Sequence, residues 1–239
     1  MPKPVEYIAN HLREVLIDGA SAPHTIEVET FFKQEITSRG WRTNELRALA
    51  KRFRKVIHRD AGLDYLVAVA DNLFNGRVLE EKVLAVQLLE SYPSELEPKH
   101  FKLFESWLDR ISSWADHDAL CHYIIAPMMV NEPRRTARAL AWTRSADRWR
   151  RRAACVSLIR GVRLKHFELE TEEVCKRLLQ DEDDMVQKGL GWLLREAAKY
   201  NPEFAVPLLK SIRKTAPRLV LRTGCETLNS TLRTQILSH

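Results

Sequence analysis

At 239 residues, with 45% hydrophobic and 29% charged, the chain is long enough to bury a large core and too apolar to be disordered throughout. Lys and Arg number 38 against 32 Asp and Glu, and the resulting charge of +6 matters only where the cations are clustered. Cys121, Cys155, Cys175 and Cys225 form no CxxC pair, which argues against a thiolate zinc site or a redox motif. No signal-peptide core opens the chain and no stretch nears ~18 uncharged apolar residues, so a cytoplasmic protein with buried thiols is expected, without metal or membrane span.

Taken in order, apolar residues recur at three and four rather than two, which predicts an all-α chain. A first amphipathic helix is expected over 5–17, then a break at 21–24 and a second segment near 26–37. Thr43 is placed to cap a helix with Leu46, Leu49, Phe53 and Val56 inward and Arg47, Lys51, Arg52, Arg54 and Lys55 outward. Helices follow over 63–74 and 79–92, and Pro98 precedes a stripe of Phe101, Phe104, Leu108 and Ile111. Pro127 and the Asn-Glu-Pro at 131–133 end the next helix. Later segments lead through an Asn201 cap and Pro202 into 202–212, with a last helix after Pro217. Short helices in pairs with short turns predict degenerate HEAT-like repeats, stacked over 1–239 as one curved solenoid domain with a basic concave face.

Two stripes break the apolar rule. Ile111, Trp114, Asp118, Cys121 and Ile125 share a helical face, so a carboxylate interrupts an apolar row. Burying it costs several kcal/mol unless a cation or donors accompany it. Trp149, Arg152, Val156 and Ile159 step the same way and place a guanidinium on an apolar face. Asp116 is expected to be solvated or to partner a nearby Arg. His117 and His122 fall off the Asp118 face, so structural or solvent roles are expected for both.

Charge is concentrated between Arg134 and Lys165. Eleven Lys or Arg stand there against Asp147 alone, an excess of ten, while the rest of the chain is net negative. Arg148, Arg150 and Arg151 belong to this run, which would suit a polyanion through counterion release. On the helix from Met185 to Lys199, Trp192 lies opposite Leu190, among Lys188, Arg195 and Lys199. Gly189 and Gly191 flank it at a cost of up to ~1 kcal/mol each, leaving room for another backbone.

The segments SSWADHDALCHYI, WRRRAACVSLI and VQKGLGWLLREAAKYNPEFAVPLLK resemble those of the AlkD-like DNA alkylation repair proteins, a HEAT-like family of DNA glycosylases. FFKQEITSRGWRTNELRALAKRF and ADNLF extend the likeness toward the start. The resemblance implies excision of cationic N7- or N3-alkylated purines from duplex DNA, by a monomer without a cofactor. It implies Asp118 as the catalytic carboxylate, Trp114 and Trp192 as DNA-contacting tryptophans, and Arg152 as an arginine facing Asp118 or phosphate. Lys188, Arg195, Lys199, Trp149, Arg148, Arg150 and Arg151 are then expected to bind DNA. The alternative expectation is a non-catalytic HEAT-repeat protein that binds damaged or branched DNA.

Overall fold

The structure, a computed structural model, describes residues 2–238. The three-and-four spacing is realised as helix throughout, and among the described residues the sole extended pairing is an isolated bridge between Thr37 and Val78. Contacts divide the chain into two compact units, Met1–Ile124 and Ile125–His239.

The first unit comprises α1 (Val5–Asp18), α2 (Ala22–Phe31), α3 (Thr43–Ala61), α4 (Leu63–Phe74), α5 (Leu79–Leu89), α6 (Pro98–Trp107) and α7 (Trp114–Leu120). Helix α5 is its centre, packed by α3, α4 and α7, and it buries Leu84, Ala85, Val86, Leu88 and Leu89. Burial of each Leu or Val stabilises by about 1.5–3 kcal/mol. Unexpectedly, α5 also buries Glu80, Glu81 and Lys82.

Three expectations need adjustment. Helix α2 begins at Ala22, because Pro23 lies in its first turn, where a missing N–H costs nothing, and it ends at Phe31. None of its residues is buried. In α3 the inward stripe is Leu46, Leu49, Ala50 and Ile57, and Val56 is exposed. At 100° per residue, position 57 returns to within about 20° of Leu46, whereas position 56 falls about 80° away.

The second unit comprises α8 (Ala126–Asn131), α9 (Thr136–Trp142), α10 (Arg148–Val156), α11 (Ile159–Arg163), α12 (Glu168–Leu178), α13 (Asp184–Tyr200), α14 (Pro202–Ile212), α15 (Arg218–Gly224) and α16 (Ser230–Leu237). Its axis is α13, 17 residues long, which packs on α10, α11, α12, α14 and α15. Gly189 and Gly191 open α13 to side chains rather than to a backbone. A Cβ at Gly189 would lie 3.1 Å from Arg152 Cγ, and one at Gly191 would lie 2.7 Å from Thr223 Cβ. In each unit helices pack largely on near neighbours in sequence, as degenerate helical repeats do.

Candidate functional site

Helix α7 starts at Trp114 because Ser113 and Asp116 close a capping box around its first turn. Asp116 Oδ1 accepts from the Ser113 amide at 2.7 Å and the Ser113 hydroxyl at 2.6 Å, and Oδ2 accepts from the Ser112 amide at 2.8 Å. Asp116 is therefore wholly buried, not solvated, and its cation is a lysine rather than an arginine. Lys82 of α5 lies 3.7 Å from Oδ2, and donates to Ser112 Oγ at 2.6 Å and to the Arg110 carbonyl. Burial pushes the Lys82 ammonium below its usual range, with Asp116 opposing.

The same cap receives the chain that follows α2. Gln34 Nε2 donates to the Ser112 carbonyl at 2.7 Å. Farther along, Glu80 of α5 gathers Ser38 Oγ at 2.7 Å, the Arg39 amide at 2.9 Å and the Gly40 amide at 3.0 Å. Gly40 needs its φ of +71°, since a Cβ there would run into backbone atoms of His24 and Thr25. With this loop held, Phe32 stacks on Trp114 at 5.1 Å between centroids, and Phe31 meets the same indole edge-on at 6.1 Å. Trp114 is half-buried, whereas Phe31 is 70% exposed. Sequence reasoning missed Phe31, Phe32 and Glu80. The signal available was a Phe-Phe pair ending a helix with no apolar stripe to absorb it.

Asp118 sits one turn beyond Trp114, its side chain 18% exposed. Its immediate polar neighbour is His117, which was expected elsewhere: Nδ1 lies 2.7 Å from Asp118 Oδ1. His117 is wholly buried, and its Nε2 lies 3.6 Å from Cys121 Sγ. Burial works against the imidazolium, but the interactions with Cys121 and Asp118 outweigh it and raise the His117 pKa to about 9. The expected helix to Ile125 changes register here, as Cys121–Ile125 winds into a π-turn, a distortion often found at functional sites.

In the second unit, Asp147 caps α10 by accepting from the Trp149 amide at 2.7 Å and the Arg150 amide at 3.0 Å. Trp149 is buried, with the Arg148 guanidinium 4.7 Å above its ring. Arg152 is buried too, and donates to the Met185 carbonyl of α13 at 2.5 Å. Arg151 pairs with Asp181 at 2.6 Å, and Arg148 lies 3.6 Å from Asp183. Acidic residues just outside the basic run thus fold onto it and reduce the excess counted along the chain.

Trp192 is half-buried on α13, and its indole N–H donates to Glu196 Oε1 at 3.3 Å. Glu196 is itself buried, accepting from Arg163 at 2.7 Å and from Arg195 at 3.3 Å. Burial opposes the Glu196 carboxylate, yet the two arginines hold it below the usual range. Arg195 also reaches Glu226 at 3.0 Å, and Lys188 pairs with Asp184 at 2.9 Å. Lys199 is exposed at the end of the helix. Among the described residues, no three His, Cys, Asp or Glu side chains converge as metal ligands would, and no helix is long and apolar enough to cross a membrane.

Trp114 in the first unit is thus half-buried against aromatic rings, and Trp192 in the second is half-buried with an ionic partner. Residues 12–228 match the family model described as DNA alkylation repair enzyme. The chain belongs to that family. Among solved structures, this DNA alkylation repair protein is similar to one described as a predicted DNA alkylation repair enzyme from Enterococcus faecalis, at 18% identity and TM-score 0.79, covering 88% of this chain and 97% of that one. It is also similar to AlkD2 from Streptococcus mutans, at 17% identity and TM-score 0.58, covering 87% of this chain and 99% of that one. A third, smu.31 from Streptococcus mutans UA159, gives 17% identity and TM-score 0.56 over 78% of this chain and 98% of that one. No curated protein matches the chain. The family carries a role in the repair of alkylated DNA, and the solved structures carry the helical fold.

Proposed function

We propose that this chain is a DNA glycosylase that hydrolyses the N-glycosidic bond of N7- or N3-alkylated purines in duplex DNA, as a monomer and without a cofactor. The reading rests above all on Asp118, a partly exposed carboxylate one turn from Trp114 with His117 hydrogen-bonded to it. An alkylated purine of this kind is a cation, so it takes the electron pair of the breaking C1′–N bond and leaves neutral, with no general acid. Positive charge then develops on the deoxyribose. Asp118 stabilises that charge electrostatically and orients water toward C1′, and the water's proton passes to solvent. Trp114 and Trp192 offer flat faces for the sugar-phosphate chain, and Arg148, Arg150, Arg195, Lys188 and Lys199 supply cations for phosphates. Trp149 and Arg151, being buried and paired respectively, support α10 rather than touch DNA in this scheme.

The chemistry is selective for charge. Single-turnover release of free base is expected from duplexes containing N7-methylguanine, and none from duplexes containing O6-methylguanine, whose glycosidic base is neutral. Equal release of both would contradict a mechanism that lacks an acid. Salt-sensitive binding with release of neither would favour non-catalytic recognition of DNA.

A further inference from the structure

We propose that His117 is a positioning residue for Asp118, holding that carboxylate in one orientation and in its ionised form; the proposal rests on the glycosylase reading above. Residues adjacent on a helix project about 100° apart, so neighbours at i and i+1 do not ordinarily face each other. Here they meet at 2.7 Å, with the imidazole wholly buried and the carboxylate partly exposed. Cys121, also wholly buried, lies 3.6 Å from the far ring nitrogen. Cys121, His117 and Asp118 thus form a short chain from the protein interior toward the surface.

Geometry gives this chain a direction. An ionised carboxylate has no proton to donate, so His117 Nδ1 carries the hydrogen and donates it to Asp118 Oδ1. A bond to one carboxylate oxygen restricts rotation of the group and favours its charged form. Both effects suit a group that must stay anionic while positive charge grows beside it. Around the same turn, Lys82 of α5 faces Asp116, Ser112 and the Arg110 carbonyl, and Asp116 accepts from Ser112 and Ser113. Glu80 and Glu81 of α5 are taken up by the Ser38 hydroxyl and the Arg39 and Gly40 amides, and by Arg13 and Arg39.

The test combines two variants with a titration. In His117→Asn the side-chain amide keeps a donor near the position of Nδ1, whereas His117→Leu fills the space without one. Single-turnover release of N7-methylguanine is expected to slow by about threefold in His117→Asn and by about thirtyfold in His117→Leu, with duplex affinity unchanged. If His117 only filled the interior, Leu would match or outperform Asn, and that order of rates would overturn the proposal. Nitrogen NMR of the protein without DNA gives a second readout. The His117 imidazolium is expected to persist to about 9 and to titrate lower in Asp118→Asn; the same titration in both proteins would also overturn it. Absence of base release by the unsubstituted protein would remove the glycosylase reading, while the titration, which needs no DNA, still decides whether His117 holds Asp118.

Discussion

Helices α7 and α13 each present a half-buried tryptophan, but they hold it by different means. Trp114 opens a seven-residue helix and is buttressed by stacking on Phe32, while the helix end beneath it is secured by the buried pair of Lys82 and Asp116. Trp192 lies mid-way along a 17-residue helix and is tied by its own indole N–H to Glu196, which Arg163 and Arg195 keep charged. A short helix cannot fix a side chain through its own length, so α7 depends on buried charge brought by α5. The long helix α13 is already held by its packing, and its ionic partners serve Trp192.

That contrast makes the two regions break differently. Lys82→Met leaves Asp116 buried without its cation and is expected to cost about 3–5 kcal/mol, the largest effect, measured by denaturant unfolding. His117 comes next. Its folded pKa of about 9 lies above the ordinary 6.5, so its contribution is fully present below about pH 6.5 and is lost as pH rises through 9. The protein is expected to lose on the order of 3 kcal/mol more than His117→Asn across that window. Glu196 has the opposite sign. Its pKa is depressed, so its contribution is present above the usual carboxylate range and disappears as pH falls through the folded value. Glu196→Gln is expected to cost about 2 kcal/mol at pH 7 and progressively less in acid, and to weaken DNA binding through Trp192 and Arg195. Gly191→Ala is the smallest change, about 1 kcal/mol, because the better helix former must displace Thr223. Equal costs for Lys82→Met and Glu196→Gln would erase the distinction between the helices.

The regions also differ in how much of them the sequence reveals. Helical spacing identifies α13, its stripe and the polar surroundings of Trp192, because 17 residues average out local irregularity. It also sets Trp114 and Asp118 on one face. The partners of α7 are not legible in that way. Lys82 and Glu80 sit in a run, Leu-Glu-Glu-Lys, that reads as a solvated turn of helix, and only the loop arriving from 34–41 and the cap at 112–113 turn it into an interior. Ideal spacing separates His117 from Asp118, but rotation about the side-chain bonds of both residues brings Nδ1 to the neighbouring carboxylate. Charge counted along the chain likewise overstated the basic run, since Asp181 and Asp183 return to Arg151 and Arg148 from some 30 residues away.

The most direct measurement is the single-turnover rate of base release from N7-methylguanine duplex by the unsubstituted protein and by Asp118→Asn, with duplex affinity measured alongside. Removing the anion without altering its shape is expected to slow release by about a hundredfold or more while affinity stays within about twofold. Equal rates in the two proteins would contradict a role for the Asp118 charge in the reaction.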